Sequence, residues 1–187
     1  MNEEVDFLLD VTIEKMDNAL KHLESELSRI RAGKANPHIL DGIDVDYYGV
    51  MTPLNQVSNV STPDAKTIAI QPWEKNMIDP IEKAIMAANI GLTPANNGEL
   101  IRLNIPPLTE ERRIQLVKQV KNEGENAKVS IRNARRDANE ELKTMQKDGL
   151  PEDAEKRAET KVQELTNEYT EKVDNVIHSK ETDIMTV

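Results

Sequence analysis

Side chains that can pack in a core recur at intervals of three and four from residue 3 to residue 31: Val5, Leu9, Thr12, Met16, Ala19, Leu23, Leu27 and Ile30. This spacing predicts an amphipathic helix with one continuous seam. Arg29 and Arg31 fall in its predicted last turn, where cations complement the helix dipole. Gly33 and Pro37 of the RAGKANP segment then stop it.

A second run, Thr109 to Lys147, contains no proline and opens on Thr109-Glu110-Glu111, a plausible N-cap followed by acids, so it predicts one unbroken helix of roughly 58 Å. At 100° per residue, Leu116, Val120, Ala127, Ile131, Ala134, Ala138, Leu142 and Met145 share an apolar stripe, with Gly124 on its edge where a neighbour can approach closely. Lys118, Lys121, Lys128, Arg132, Arg135, Arg136, Lys143 and Lys147 gather on another face as a basic ridge. Asp148-Gly149-Leu150-Pro151 predicts a reversal. A third helix follows from Pro151 to about Lys180, with Ala158, Val162, Leu165, Tyr169, Val173 and Val176 on one stripe. Three such helices bury their seams best against one another.

Between the first two helices the period changes. Ile43, Val45 and Tyr47 alternate with Asp44 and Asp46, predicting a strand that turns at Tyr48-Gly49. Val57 with Val60, and Ile68 with Ile70, predict further strands, broken at Thr62-Pro63-Asp64 and Gln71-Pro72. A short helix is expected over Asp79 to Asn89, and Ile101, Leu103 and Ile105 predict a last strand. Trp73, Tyr47 and Tyr48 are expected to pack in the core or turns of this unit; exposure would instead make them a partner surface. The fold class expected is therefore α+β. A three-helix bundle (1–31 and 108–187) carries an inserted small β/α/β domain (32–107). The two crossings lie near 32–36 and 104–107, with Ala32, Gly33, Pro106 and Pro107 as hinge residues.

Composition sharpens this reading. The 187 residues are 37% hydrophobic but only 3% aromatic, with seven glycines, which suits a helical protein. Without cysteine there is no disulfide framework, thiolate metal site or cysteine nucleophile. The start, MNEEVDFLLD, is acidic where a signal peptide would be basic, and no apolar run approaches a membrane span. A cytoplasmic protein with no membrane association is expected. The formal net charge is −10, yet residues 109–147 hold ten basic side chains against seven acidic ones. Between Arg112 and Arg136 eight basic residues face only Glu123 and Glu125. An acidic body with one basic ridge is attracted to a polyanion in a single orientation.

No catalytic apparatus is visible. Gly33-Lys34 lacks the upstream glycine of a phosphate-binding loop, and neither GxGxxG nor GxSxG occurs. His22, His38 and His178 are isolated and read as surface or structural residues. No cofactor and no enzyme are expected. The ridge has two readings: a solvated face paired internally, Glu125 with Lys128 or Lys121 and Glu140 with Arg136, or a docking face for structured RNA. A helical adaptor that lends its seams to another protein is the rival; an unsatisfied seam would make it dimerise.

Four segments carry a resemblance: RAGKANP at 31–37, LDGIDVDYYG at 40–49, PPLTEERR at 106–113 and RNARRDANEELK at 132–143. In order and spacing, along essentially the whole chain, they resemble the bacterial ribosome recycling factor family. The resemblance implies an L-shaped two-domain protein with the outline of a transfer RNA. It also implies action on the post-termination ribosome with elongation factor G and GTP, splitting the subunits and releasing ribosomes from messenger RNA for reuse. It further implies that Arg132, Arg135 and Arg136, with Arg31, contact large-subunit ribosomal RNA. Lys121, Lys128 and Arg29 join them as basic residues of the same faces, and Lys34 stands where many relatives carry arginine. Such a factor is expected to be a monomer.

Overall fold

The computed structural model describes residues 3–186. Among the described residues five α-helices and six strands, with short 3-10 turns at Pro37–Leu40 and Lys75–Met77, follow one another in the order α1 (Glu3–Ser28), β1 (Asp44–Tyr47), β2 (Val50–Pro53), α2 (Leu54–Val57), β3 (Ser58–Asp64), β4 (Thr67–Pro72), α3 (Ile78–Ala88), β5 (Pro94–Asn96), β6 (Ile101–Asn104), α4 (Glu110–Lys147) and α5 (Glu152–Met185). The chain divides into two compact units, Met1–Ala32 with Glu110–Val187, and Gly33–Thr109.

The first unit is a three-helix bundle. Its seams close on one another: Val5, Met16, Leu23, Val120, Ile131, Leu142, Val162 and Val173 are all buried. At about 1.5–3 kcal/mol for each large apolar side chain, these outweigh the weak propensity terms that shape isolated helices. Thr12 and Thr166 are buried in the seams as well, and each donates its hydroxyl to its own helix four residues back, Thr12 Oγ1 to the Leu8 carbonyl at 2.8 Å and Thr166 Oγ1 to that of Val162 at 2.7 Å. That bond is what lets a hydroxyl lie in an apolar stripe. Across the bundle the largely buried Tyr169 donates to Asp17 Oδ1 at 2.9 Å, tying α5 to α1.

The first helix ends earlier than the periodicity predicts. It stops at Ser28, so Arg29 and Arg31 lie beyond its last turn and do not cap it, although Ile30 remains buried. Arg29 instead reaches back to Glu26 at 3.1 Å. At the same end of the bundle α5 continues to Met185, past the expected stop near Lys180, because Ile184 supplies one more buried position.

The second unit packs α3 and a four-stranded antiparallel sheet of order β3-β4-β6-β5, with the separate β1–β2 hairpin, around Val45, Ile68, Ile70, Ile81, Ile85, Ile101 and Leu103. Two strands, β2 and β5, have too little alternation to be read from sequence. Val57 is not in a strand but closes the single turn α2, and β3 runs through Thr62-Pro63-Asp64 with an irregularity between Ser61 and Asp64. Asn89, in the left-handed region at φ 49°, ends α3 ahead of Gly91. Both chain crossings are held by the turn between β3 and β4: Ala35 N–H donates to the Ala65 carbonyl at 2.8 Å, and Ile105 N–H to that of Lys66 at 2.7 Å.

Gly124 is buried on α4, and a Cβ there would lie 2.8 Å from Ile177 Cγ1 on α5. Gly124→Ala is expected to destabilise the bundle by about 1–3 kcal/mol through overpacking. On an Ile177→Ala background the same substitution should stabilise by up to about 1 kcal/mol, the helix-propensity gain. Urea denaturation of the four proteins checks the reversal of sign.

Candidate RNA-binding face

Burial fixes the rotation of α4. Leu116, Val120, Gly124, Ala127, Ile131, Ala134, Ala138 and Leu142 all point inward. Met145, expected among them, is only half-buried at the edge of the bundle core. With the stripe so placed, α5 lies along one flank of α4 and α1 along the other, as the Gly124–Ile177 approach and the 3.4 Å Lys15–Asp137 pair show. The basic residues lie on the α5 flank and the outward side.

The ridge is therefore not uniform. Lys128 and Arg135 sit nearest the seam and turn towards α5. Lys128 pairs with Asp174 at 2.6 Å and is only 24% exposed. Arg135 is half-buried and donates to Gln163 Oε1 at 3.3 Å, a neutral acceptor that leaves its charge uncompensated. Lys121, Arg132 and Arg136 are exposed. Among the described residues Arg132 and Lys121 pair with no carboxylate, and Arg136 has only Asp137 at 3.9 Å. The internal pairs expected from sequence, Glu125 with Lys128 or Lys121 and Glu140 with Arg136, do not form. The carboxylate that reaches Lys128 comes from the neighbouring helix, and only spacing within α4 was legible from sequence.

The remaining expected contacts lie elsewhere. Arg29, exposed, is engaged with Glu26; Arg31 is exposed just before the crossing, and Lys34 is exposed within it, in the second unit. Of the expected hinge residues, Ala32 and Gly33 are half-buried, and Pro106 and Pro107 are exposed. Gly33 takes φ 72°, and a Cβ on it would fall 2.7 Å from Leu108 Cγ, so only glycine fits.

The aromatics of the second unit overturn an expectation. Trp73 is 68% exposed and Tyr48 69%, so neither belongs to the core. Tyr48 follows Asp44 and Asp46 in the outward-facing register, opposite to buried Val45, and lies in the hairpin turn, where Tyr48 and Gly49 adopt φ 51° and 85°. Glu74 then fixes it. Its two carboxylate oxygens accept the hydroxyls of Tyr47 at 3.0 Å and Tyr48 at 2.7 Å, and Asn76 Nδ2 donates to the Tyr48 oxygen at 3.0 Å. The rings of Tyr47 and Tyr48 meet edge to face at 4.7 Å. With Val50 and Met51 also exposed, the hairpin presents a rigid apolar rim suited to a partner.

His22 and His178 are exposed, and His38 sits 2.9 Å from Asp41 on the surface. A cleft of about 420 Å³ between α1 and α5 is lined by Leu27, Val176 and Lys180 with Glu24 and Asp183. Desolvation holds the Lys180 amine below its usual pKa.

A family model described as ribosome recycling factor matches residues 23–185. A ribosome-recycling factor of Flavobacterium johnsoniae is 55% identical over 187 residues, 100% of both chains. One from Phocaeicola vulgatus is 58% identical over 174 residues, 93% of this chain and 94% of the relative. A solution structure of ribosome recycling factor is similar at TM-score 0.79 and 35% identity, covering 100% of each chain. The T. thermophilus ribosome recycling factor, from models with the E. coli elongation factor G bound to the E. coli post-termination complex, is similar at TM-score 0.63 and 42% identity; 97% of this chain and 99% of that one are covered.

The Glu74 bridge has a titration consequence. Its hydrogen bond, then its negative charge, raise the Tyr47 pKa above the ordinary 10.0. A raised folded-state pKa means the bond's contribution is complete below pH 10 and is lost as pH climbs through the folded value. In an alkaline titration followed by tyrosine-ring NMR, Tyr47 should ionise later than a free tyrosine, and Glu74→Ala should return it towards 10.0.

Proposed function

The chain belongs to the ribosome recycling factor family, and on that premise we propose that the outward flank of α4 docks on ribosomal RNA phosphates while elongation factor G drives disassembly. It is a translation factor: with elongation factor G it acts on the post-termination ribosome and releases it from messenger RNA for reuse. The ribosome and elongation factor G are its partners, and no described helix is long and apolar enough to cross a membrane. The cytoplasm, where ribosomes finish their messages, is its place of work.

One observation carries the docking reading: Arg132 is exposed with no carboxylate partner, beside an Arg135 held by a neutral amide. Guanidinium groups in that state keep their full charge and their planar fork for phosphate oxygens. Arg136 adds a third, weakly compensated. Lys128 raises the local potential little, because Asp174 neutralises it at 2.6 Å. At Lys34, an ammonium holds the charge without the fork, so a point contact replaces a bidentate one.

The division of labour follows from what the chain lacks in sequence. It has no nucleotide-binding loop, so the free energy for splitting comes from the GTP used by elongation factor G, and this chain acts as a mechanical, non-catalytic part. The rigid bundle serves as the lever. Rotation is confined to the short spans outside the Ala35–Ala65 and Ile105–Lys66 bonds, namely Ala32, Gly33, Pro106 and Pro107. The adaptor reading is disfavoured because the seams of α1, α4 and α5 are already buried against one another, leaving none for a second protein.

The docking reading is tested by binding the purified chain to vacant ribosomes across a salt series. Arg132→Ala/Arg135→Ala should weaken binding and flatten the logarithmic salt slope by somewhat less than about one unit per lost phosphate contact. Lys128→Ala should leave the slope nearly unchanged. Equal binding by the arginine double mutant and the wild type would remove the ridge from the interface. Subunit splitting at the normal rate without elongation factor G or GTP would overturn the division of labour.

A further inference from the structure

Arginine can only donate hydrogen bonds, and that fact sets the polarity of a chain of amides on α5. Arg135 Nη1 donates to Gln163, so the atom it meets must be the oxygen, Oε1, at 3.3 Å. The Gln163 amide nitrogen is then left to act as donor, and it meets Asn167 Oδ1 at 2.9 Å. Asn167 therefore spends its oxygen inward and keeps the whole Nδ2 group, with two N–H donors, for something outside. Asn167 is exposed, one turn outward along α5 from Gln163.

Its position makes this donor useful. In the antiparallel pairing of α4 and α5, Lys128 meets Asp174 and Arg135 meets Gln163. Asn167 lies between Gln163 and Asp174 on α5, so it stands level with Arg132, which lies between Lys128 and Arg135 on α4. Glu164 and Glu171, exposed further round α5, repel a polyanion and mark where a phosphate backbone must stop.

We propose that Asn167 is an additional RNA-binding residue, whose Nδ2 donates to a ribosomal RNA phosphate or ribose oxygen at the edge of the arginine face, with Gln163 as the positioning residue that orients both it and Arg135. This rests on the docking reading above and extends the interface from one helix to two. The electrostatic work stays on α4. A neutral donor on α5 adds geometry without adding charge.

The test uses the full chain and vacant ribosomes over the same salt series. Asn167→Ala should weaken binding about three- to tenfold at fixed salt, as the loss of one hydrogen bond to a charged or polar acceptor does. Its salt slope should match the wild type, because a neutral amide displaces no counterion. Gln163→Glu should weaken binding more and flatten the slope, since a carboxylate there neutralises Arg135 and turns the Asn167 amide inward. Asn175→Ala, an exposed amide on another face of α5, should bind as the wild type does. Wild-type binding by Asn167→Ala alongside weakened Arg132→Ala/Arg135→Ala overturns the inference and leaves the arginine face standing. A flattened slope for Asn167→Ala also overturns it, because the residue would then act through charge. Wild-type binding by the arginine double mutant removes the docking reading and the inference with it. Thermal melts followed by circular dichroism confirm that each variant is folded.

Discussion

The rotation of α4 about its own axis is the constraint on which the rest depends. A helix of 38 residues, about 57 Å long, has its rotation fixed wherever its apolar stripe must meet two neighbours. Slipping the pattern by one residue would turn every side chain by about 100° and carry Arg132 or Arg135 towards the core in exchange for Ile131. The cost of burying an unpaired guanidinium is several kcal/mol, far more than any surface term can return. Small residues support the same setting: Gly124, Ala127, Ala134 and Ala138 are buried in the stripe, and Ile177 occupies the space a Cβ on Gly124 would need. The same packing that makes the bundle stable therefore aims the basic residues.

Aim alone does not make the arginines equivalent. The neighbours supplied by α5 sort them. Asp174 neutralises Lys128, whereas the amide of Gln163 holds Arg135 without cancelling its charge. A surface ion pair contributes little to folding, generally below about 1 kcal/mol, so the choice between carboxylate and amide opposite a basic residue is nearly neutral for stability. For an approaching phosphate the same choice decides whether a full positive charge is present. The second unit follows a parallel logic with different chemistry: the Glu74 carboxylate ties down two tyrosine hydroxyls, and the reward is a fixed aromatic rim that does not collapse onto its own core.

What could be read from sequence divides along the range of the interactions involved. The seams of the three helices, the identity of Gly124 as a close approach and the reversal at Gly149 are local patterns of spacing and turn chemistry, and the structure contains them. The small unit was legible only where apolar residues alternate, as in Ile68 and Ile70 or Ile101 and Leu103. The strands β2 and β5 are exposed and lack that signal. Arg29 and Arg31 were placed in a helix that ends at Ser28, because the apolar spacing runs on to Ile30, which stays buried after the helix has ended. Trp73 and Tyr48 were expected to pack in the core or turns, with exposure as the sign of a partner surface; Tyr48 does lie in the turn that Tyr48-Gly49 marks, but both rings are exposed, and nothing in the spacing of Trp73 announced it. For the candidate face, the residues on α4 were legible and their partners were not. Asp174, Gln163 and Asn167 are distant in sequence, and nothing in their spacing announces the arginines they accompany.

The placement of charge also suits a factor that must leave. On the proposed docking, a chain with a net charge of −10 is repelled from RNA by most of its surface, so the bound state would rely on a small number of phosphate contacts. Each such contact contributes a salt-sensitive increment, and a set of three or four is lost steeply once the geometry changes. A broadly basic protein would hold on through many interchangeable contacts and would coat RNA wherever it met it. On the proposed docking, an arginine patch flanked along α5 by Asp174, Glu164 and Glu171 would bind in one orientation and lose its contacts together when its site is pulled apart. On that reading the acidic surface that gives the dock its direction would also favour release after subunit splitting.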